Sequence, residues 1–464
     1  MKPVPAECPH RPTPPVQAPG AWPPGPPSGI TGWGLLRRMA RDLLGTLEQW
    51  QRQYGDLVHL KIWPEHTLVV MAPALVRQLL VDHHDDLIRW EHAIAIFSGL
   101  HGNSVLTAEG DAWKIKRQAL QPLFSPKGVQ PLIPLITAAA ADAMALWGEG
   151  GARFPIEPAF NALGMGLILR MLFTDASGAD SALAGRAVHD TAVAANAAMY
   201  WPVSLPDWMP WKRRARQGRR VLKGLIERHI GARLALDRAA WPADMLSRLL
   251  ALHHADPAHW PLKAVHDECM TTFLAGHETG AATLTWWAWC MAANPALQGA
   301  LQGEVDGVLQ GRAPGAEDVP RLRLLHQSLL ETMRLYPAAP VLLSRRSTRA
   351  ITLGGWQLPA GTMFMIPPQL MHHDPRWFAE PHAFMPERFG DTAAAPPRGA
   401  FMPLGSGPRV CLGQHLAMAQ MTLVAAMLLQ RFTLALADGM APPTPVFHIT
   451  MRPAEPLCLA LAPR

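Results

Sequence analysis

The feature that most constrains the fold is one apolar helix of unusual length. Residues 261–295 are bracketed by two prolines, and nearly every position from 270 to 293 is apolar. An average α-helix has about 11–12 residues, so this segment crosses either a large protein core or a membrane. His277 and Glu278 lie at its centre, where a bilayer would make ionisable side chains costly. The pattern therefore favours the buried central helix of a globular protein.

The rest of the chain is dominated by helical patterns. Of its 464 residues, 49% are hydrophobic, which fits a globular protein and excludes a disordered one. Alternating apolar and polar residues predict a hairpin at 56–71 and strands at 341–371 and at the C-terminus. The spacing predicts further helices at 32–54, 72–82, 110–120, 129–148, 157–173, 181–198, 211–236, 242–252 and 322–336.

The predicted fold is therefore mostly α with a small β part, in a single large domain. The domain is expected to cover residues 31–464. Eleven of the first 27 residues are proline, so residues 1–30 are expected to form an extended or disordered lead-in. No apolar leader or anchor is visible there, which predicts a cytoplasmic protein without a membrane anchor.

Charge and cysteine content exclude several classes of function. The net charge of +6 is mildly basic, but no basic stripe with interleaved aromatic residues indicates a nucleic-acid partner. The basic run at 211–220 is interpreted as a solvated helix face. Five cysteines without paired spacing argue against a disulfide framework or a structural zinc site and fit a reducing compartment.

Cys411 is set apart from the other cysteines by its surroundings. It lies in the run Leu404-Gly-Ser-Gly-Pro-Arg-Val-Cys-Leu-Gly413, directly before a predicted helix. Backbone N–H groups and the positive end of the helix dipole favour a thiolate at such a place. A lone thiolate presented in this way can be an axial ligand to haem iron. The remaining four are interpreted as small buried hydrophobic residues, Cys8, Cys269, Cys290 and Cys458.

The central helix carries a second unusual pattern, Ala275-Gly-His-Glu-Thr-Gly280. A helix interior disfavours both Gly and Thr, so two glycines around Glu278 and Thr279 predict a locally opened turn. Thr279 can donate a hydrogen bond to an earlier carbonyl and bend the helix. A His-Glu-x-x-His zinc site is excluded, because residue 281 is alanine.

Two further pairs of residues lie at helical spacing. Glu331 and Arg334 share one helix face among apolar neighbours, which predicts a buried ion pair that needs another partner. Arg388, in the run Phe384-Met-Pro-Glu-Arg-Phe389, can supply it. Trp113 and Arg117 lie four residues apart on another helix.

These motifs together resemble those of the cytochrome P-450 family of haem-thiolate monooxygenases. The family's haem loop is Phe-x-x-Gly-x-Arg-x-Cys-x-Gly, and this chain matches it except that Leu404 stands in place of Phe. The central-helix motif matches through Thr279, after which Gly280 replaces a second Thr. Beyond the cysteine, Gln420 replaces the family's Glu. The resemblance covers nearly the whole chain and implies the cytochrome P-450 fold.

The resemblance implies haem b as the cofactor, with Cys411 as the axial ligand to its iron. Thr279 would hydrogen-bond dioxygen, and Glu278 would relay protons. Glu331, Arg334 and Arg388 would form a structural network behind the haem. Either Arg345 or Arg346 would contact a propionate. The other residues expected to contact haem are Arg409, Trp113, Arg117, Ala275, Gly407 and Gly413.

The implied reaction inserts one oxygen atom from O2 into a hydrophobic small molecule, by hydroxylation or epoxidation. Electrons would come from a separate ferredoxin or flavodoxin with its NAD(P)H reductase. Lys114 and Lys116 would help to dock this redox partner. The protein is expected to be a monomer. The expected pocket draws on residues 89–106, 192–208, 339–343 and 446–449. Five apolar residues are expected to line it, Phe273, Leu274, Val341, Leu342 and Phe447.

Three other functions stay open from sequence alone. A peroxide-driven peroxygenase would share the haem-thiolate centre, although such enzymes usually replace the Glu-Thr pair. A haem-thiolate sensor would need no proton relay. A helical binding protein without haem would lack the pigment altogether.

Overall fold

The computed structural model describes residues 21–174, 177–199, 209–447 and 450–464. The α-helices are α1 (Trp33–Arg41), α2 (Leu43–Tyr54), α3 (Pro73–Arg77), α4 (Glu91–His101), α5 (Gly110–Leu120), α6 (Pro126–Val129), α7 (Ile133–Ala145), α8 (Ile156–Phe173), α9 (Gly178–Met199), α10 (Arg213–Leu234), α11 (Met245–Ala255), α12 (Leu262–Ala293), α13 (Pro295–Leu309), α14 (Arg323–Leu335), α15 (Pro368–His372) and α16 (Gln414–Arg431). The strands are β1 (Leu57–Ile62), β2 (Glu65–Val70), β3 (Leu87–Arg89), β4 (Gly151–Phe154), β5 (Arg345–Ser347), β6 (Ile351–Leu353), β7 (Trp356–Leu358), β8 (Met363–Met365), β9 (Phe432–Leu436), β10 (Pro445–Phe447), β11 (Met451–Pro453) and β12 (Leu459–Pro463).

These elements fall into two compact units. The first runs to Glu91 and includes Val341–Trp377 and Pro396–Val410. The second comprises His92–Pro340, Phe378–Ala395 and Cys411–Arg464. The fold is mostly helical with a small β part, as the sequence predicts.

The first unit is organised around a five-stranded sheet in the order β1-β2-β8-β5-β3. Strands β1 and β2 form the predicted antiparallel hairpin, in which Leu57 pairs with Val70. Their inward side chains pack with α3 and with β6–β8 in an apolar cluster that includes Leu68, Val76 and Phe364. The cluster buries enough apolar surface to hold these short strands together.

The second unit is built on α12, which has 32 residues. Its closest neighbour is α8, and a glycine lies at the contact from each side. A Cβ at Gly164 on α8 would lie 2.9 Å from the His277 carbonyl oxygen, and one at Gly276 would lie 2.6 Å from Ile168 Cδ1. The two helices approach this closely because those positions carry no side chain.

The C-terminal half of α12 is held by its two consecutive tryptophans. The Trp286 ring stacks on Tyr336 with centroids 4.1 Å apart, and its Nε1–H donates to the Met451 carbonyl oxygen at 3.2 Å. The Trp287 Nε1–H donates to Ser328 Oγ at 2.9 Å. Both indoles are fully buried with their polar atoms satisfied, so they join α12 to α14 and β11.

Among the described residues, two segments, 126–145 and 156–173, are long and apolar enough to cross a bilayer by length and composition. The apolar part of the first is 39% buried inside the protein, and that of the second is 61% buried. Core helices of globular proteins pass the same test, so the two segments are weak evidence for a membrane span.

Several element boundaries differ from the sequence-based prediction. The single helix predicted over 32–54 is two helices, because Asp42 adopts an extended conformation (φ −154°) and its carboxylate caps α2 by accepting the Gly45 N–H. The prediction also missed α4, α13, β3 and β4. Of the predicted lead-in at 1–30, residues 1–20 lie outside the described part of the chain. Within the rest, the Trp22 ring stacks on the rings of His59 and His66, with centroids 4.5 Å apart in each pair.

Candidate active site

The loop before Cys411 is shaped by glycines in the left-handed region. Gly405 has φ +81° and Gly407 has φ +71°, values that L side chains rarely adopt. A Cβ on Gly407 would also lie 2.4 Å from the Leu80 carbonyl oxygen. A short 3₁₀ turn, Gly407–Arg409, follows, and α16 begins three residues after Cys411. The loop therefore needs glycine at 407 for both conformation and space.

Among the cysteines in the described part of the chain, Cys411 has the exposed side chain, whereas Cys269 and Cys290 are buried. Protein nevertheless surrounds the sulfur closely enough that desolvation raises the pKa of its thiol. The Gly413 N–H and the charge of Arg117 act in the opposite direction. The backbone N–H at the start of α16 thus lowers the pKa of the Cys411 thiol, as expected from the sequence, but desolvation raises it by more. Coordination by a metal ion deprotonates such a thiol.

The central helix presents an open face at Ala275 and Thr279. Both residues are exposed in the middle of a helix that is otherwise largely buried. Thr279 Oγ1 donates a hydrogen bond to the Ala275 carbonyl oxygen at 3.0 Å, as expected. The predicted opening of the turn is wrong, because α12 runs without interruption from Leu262 to Ala293. The side-chain bond supplements the helix ladder and does not break it.

Glu278 lines a cavity of about 970 Å³ within the second unit. Helices α7, α8 and α9 form most of its walls, and His277 and Arg452 also line it. The buried Thr450 donates a hydrogen bond from Oγ1 to Glu278 Oε1 at 2.6 Å. Burial lowers the pKa of His277, while the charge of Glu278 opposes that change. Sequence reasoning missed Thr450, since no motif marks it and 172 positions separate it from Glu278.

Glu331, Arg334 and Arg388 lie together in the second unit. Arg334 donates two hydrogen bonds to the Glu331 carboxylate, from Nε at 2.7 Å and Nη2 at 2.8 Å. Arg388 Nε donates to Glu331 Oε1 at 3.3 Å, and the Met385 N–H donates to the same oxygen at 2.9 Å. The first two side chains are fully buried. A bidentate pair with extra donors is the geometry that makes a buried ion pair tolerable.

Helix α5 places Trp113 and Arg117 as the spacing predicts, with Trp113 buried and Arg117 near Cys411. Lys116 was expected to help dock a redox partner, and this is wrong. Lys116 is 7% exposed, and its Nζ lies 3.0 Å from Glu268 Oε1. Its ammonium group also lies over the Trp260 ring, 5.0 Å from the centroid. A buried lysine paired in this way offers no charge to a partner protein.

In the first unit, Arg345 and Arg346 have different surroundings. Both are on β5, where consecutive side chains point to opposite faces. Arg346 donates two hydrogen bonds to Glu65 at 2.8 Å and one to Glu91 at 2.9 Å. Arg345 is buried and donates to the Leu343 carbonyl oxygen. Arg409, also in this unit, is partly exposed.

The residues expected to contact substrate are distributed over both units. Phe273 is buried on α12, Leu274 and Phe447 are partly exposed in the second unit, and Val341 and Leu342 are partly exposed in the first. None of the five lines the 970 Å³ cavity. Residues 200–208 and 448–449 of the expected pocket lie outside the described part of the chain.

Two departures from the family motifs are neighbours in space. A Cβ on Gly280 would lie 3.8 Å from Gln420 Nε2, and Gln420 is 4% exposed. The Gln420 amide therefore reaches the helix turn after Thr279, where a side chain at position 280 would contact it.

The donor groups fit a haem with one axial thiolate ligand. Cys411 supplies an accessible sulfur, Arg117 supplies a cation near it, and the exposed Ala275 and Thr279 leave one face of α12 open. An iron held by a macrocycle needs one or two protein ligands. Arginine and tryptophan N–H groups suit its propionates.

Comparison with known proteins agrees with this geometry. The family model for cytochrome P450 matches residues 23–459. Cyclooctat-9-en-7-ol 5-monooxygenase from Streptomyces melanosporofaciens is 32% identical over 422 residues, covering 86% of this chain and 88% of the relative. Cyclooctatin synthase from the same organism is 31% identical, covering 94% and 95%. A zebrafish cytochrome P450 solved with progesterone superposes with a TM-score of 0.77 at 25% identity, covering 90% of this chain and 98% of the other.

The match extends over both units and over every motif described above, and one of the relatives is named as a monooxygenase. The chain therefore belongs to the cytochrome P450 family of monooxygenases, whose cofactor is haem b bound through a cysteine thiolate.

Proposed function

We propose that this protein inserts one oxygen atom from O2 into a hydrophobic small molecule, by hydroxylation or epoxidation, with electrons from a separate ferredoxin or flavodoxin and its reductase. The observation that carries the proposal is the accessible thiol of Cys411 in its glycine-rich loop. Bound haem supplies the cleavage of the O–O bond, which a thiolate ligand favours. Residues 31–464 would form the haem domain.

The polar residues of the chain divide into two roles. Arg117, Trp113, Arg409 and Arg345 would hold the propionates. Arg345 is preferred to Arg346 because the guanidinium of Arg346 is already bound to Glu65 and Glu91. In the second role, Thr279 and Glu278 would deliver protons at the open face of α12 while the buried helix excludes bulk water.

Glu278 would collect protons from the cavity side of α12. Its carboxylate lines the cavity of about 970 Å³ and accepts the Thr450 hydroxyl hydrogen bond at 2.6 Å. Thr279 is the next residue, and its hydroxyl lies at the exposed face. A carboxyl group that turned between this cavity and the Thr279 hydroxyl would move protons across the helix.

The ligand test compares two cysteines. Reduced, carbon-monoxide-treated protein should show a strongly red-shifted Soret band, and Cys411→Ser should lose it because a hydroxyl cannot replace the thiolate. Cys458→Ser is the matched control and should keep the band. Cys458 is partly exposed and lies directly before β12. Persistence of the band in Cys411→Ser would exclude the assignment.

The substrate class can be found by spectral titration with apolar compounds. A compound that enters the active site displaces water and changes the spin state of the haem. Because two relatives are named for cyclooctatin chemistry, cyclic terpenoid alcohols belong in the library beside fatty acids and aromatic compounds. Product formed with peroxide alone, at the rate seen with a redox partner, would instead assign a peroxygenase.

A further inference from the structure

The cavity that Glu278 lines differs from the expected substrate pocket. It measures about 970 Å³ and lies within the second unit. It shares Ala192 and Val193 with the segments expected to form that pocket, but none of the five side chains expected to contact substrate lines it. Sites for small molecules usually measure about 300–1,000 Å³, so the space suits a ligand of drug size.

Most of the cavity wall is apolar and leaves room for a ligand. Gly166 on α8 and Gly185 on α9 line it, and a Cβ at either position would meet nothing within 4 Å. Two large apolar side chains of the same wall are exposed, Leu146 by 89% and Val193 by 52%. A ligand in the cavity would remove this apolar surface from water, which favours binding.

The wall carries no net charge from its guanidinium groups and carboxylates. Arg170 Nη2 lies 2.7 Å from Asp142 Oδ2, and the other two charged groups are Arg452 and Glu278. Burial lowers the pKa of His277, so its ring is neutral at pH 7. A charged ligand would lose its hydration without gaining an uncompensated partner, so the cavity favours a neutral molecule.

Glu278 and Arg452 have hydrogen-bonding capacity that the described residues do not use. The Glu278 carboxylate accepts the Thr450 hydroxyl at Oε1, at 2.6 Å. Within the described residues, no group donates to Glu278 Oε2, and none accepts from the Arg452 guanidinium. A hydroxyl group both donates and accepts, so an alcohol suits the two side chains.

We propose that this cavity binds a neutral, largely apolar small molecule whose hydroxyl group donates to Glu278. Hydroxylated hydrophobic compounds are the class that the proposed reaction forms, so the ligand would be the product or a similar alcohol. The bound alcohol occupies Glu278 Oε2 and excludes water from the cavity, and it thereby slows proton delivery to Thr279. The choice of product as ligand and its effect on turnover rest on the proposed function, whereas the existence of the site does not.

Binding is tested with testosterone and androstenedione, two neutral steroids that differ in one hydroxyl group. Equilibrium dialysis uses the full-length holoenzyme saturated with phenylimidazole, whose nitrogen binds haem iron and blocks the haem side. Testosterone should still bind to this protein. Androstenedione has a ketone at that position and should bind at least about tenfold more weakly, because it leaves Glu278 Oε2 without a donor.

Two variants test the position of the site. Gly166→Phe/Gly185→Phe places two rings in the cavity and should weaken testosterone binding at least about tenfold. Arg452→Met removes a hydrogen-bond donor and should weaken it about fivefold.

The matched control is Gly224→Phe/Gly303→Phe. These glycines lie on α10 and α13, where a Cβ also meets nothing within 4 Å, and neither lines the cavity. The control should bind testosterone within about twofold of the parent protein. All variants should keep the melting temperature and the carbon-monoxide spectrum, which excludes misfolding.

The effect on turnover is measured with a surrogate redox partner and a substrate found by spectral titration. Testosterone should lower the ratio of product to NAD(P)H consumed in the parent protein. It should leave that ratio unchanged in Gly166→Phe/Gly185→Phe. Equal inhibition of the two proteins would show that the steroid acts elsewhere and would refute control through the cavity.

Three binding results would overturn the site itself. The first is phenylimidazole-saturated protein that binds no testosterone. The second is equal binding by the parent protein and by Gly166→Phe/Gly185→Phe, since the steroid would then lie elsewhere. The third is equal affinity for the two steroids, because the hydroxyl group would then not be recognised. Loss of the proposed function would appear separately, as a missing red-shifted carbon-monoxide band, and dialysis would still measure steroid binding.

Discussion

Two glutamates on α12, ten positions apart, are held in very different ways. Glu268 is 1% exposed, accepts the Val105 N–H at 2.9 Å and pairs with Lys116 at 3.0 Å. Glu278 is half-buried, accepts a hydrogen bond from Thr450 and borders a cavity. A carboxylate with several fixed donors stabilises a structure, whereas one that accepts from a hydroxyl group at the border of a cavity is less constrained. The same residue type thus serves structure at one place and, under the proposed function, proton transfer at the other.

The part of α12 around Glu268 also holds a loop. Asp267 accepts the Asn103 N–H at 2.9 Å and binds Lys263 Nζ at 2.8 Å. Its carboxylate fills the space beside Gly102, where a Cβ would lie 2.2 Å from the carboxylate carbon. Together with Glu268, it ties the loop between α4 and α5 to α12. Helix α5, which carries Trp113 and Arg117, is positioned through the same contacts.

The largest effect is expected from Lys116→Met. Removing the ammonium leaves the Glu268 carboxylate buried without its cation, so the free energy of unfolding should fall by about 4 kcal/mol. Chemical denaturation measures it. The double variant Lys116→Met/Glu268→Met should recover most of the loss, and Lys114→Met, at an exposed neighbouring position, should change stability by less than about 0.5 kcal/mol. Equal stability of the two single lysine variants would contradict the structural role of Glu268.

The stability of the region around this loop should also depend on pH. His101 is 5% exposed at the end of α4, and burial lowers its pKa from 6.5 to about 4. The unfolded chain binds a proton below pH 6.5 while the folded protein stays neutral, so stability is full above pH 6.5 and is lost as the pH falls towards 4. The loss should reach about 3 kcal/mol at pH 4.

Denaturation between pH 7 and pH 4 measures this effect. His101→Phe should remove that part of the pH dependence, whereas His254→Gln, at an exposed position, should keep it. An unchanged pH profile in His101→Phe would show that other groups cause the loss.

Beside the cavity, Glu278→Gln should affect turnover and spare stability. Removing a proton-transfer group should lower product formation by about 100-fold, since general acid–base catalysis contributes about that much. The unfolding free energy should change by less than about 1 kcal/mol. Product and NAD(P)H consumption are measured with a surrogate redox partner. A variant that keeps the parent ratio of product to NAD(P)H would remove Glu278 from the proton path.

The smallest effect is expected from Thr450→Val, which deletes the hydroxyl that donates to Glu278. We expect product per NAD(P)H to fall about fivefold, corresponding to one lost hydrogen bond of about 1 kcal/mol. Thr450→Ser keeps the hydroxyl and should keep most of the activity. If Val and Ser behave alike, the methyl group and not the hydrogen bond is important at this position.

Much of the fold could be predicted because it depends on local patterns. The long apolar run between two prolines predicts α12, and the alternation around Pro64 predicts the β1–β2 hairpin. The single helix predicted over 32–54 failed, since a cap at Asp42 is a weaker signal than the periodicity on either side of it. Strands such as β3 and β4, with three and four residues, carry too few positions for a pattern to be visible.

The residues of the candidate site also divide into those that the sequence could identify and those that it could not. Cys411, Thr279 and Glu331 stand in contiguous motifs whose chemistry can be read from the residues beside them. The surroundings of Lys116 and Thr450 could not be read, because their partners lie 152 and 172 positions away. For Lys116 the error was one of burial, since an exposed and a buried lysine look the same on a helix.

By itself, the sequence determined the helical class, the cysteine proposed as the haem ligand, and the acid–alcohol pair on the central helix. Each depends on residues close together in the chain, whose spacing and conformational preferences are local. Only the tertiary structure decided that Arg346, and not Arg345, binds Glu65 and Glu91, and that Glu268 is paired with Lys116 whereas Glu278 borders a cavity. Those properties depend on burial and on contacts between distant segments, which the packing of the whole chain creates.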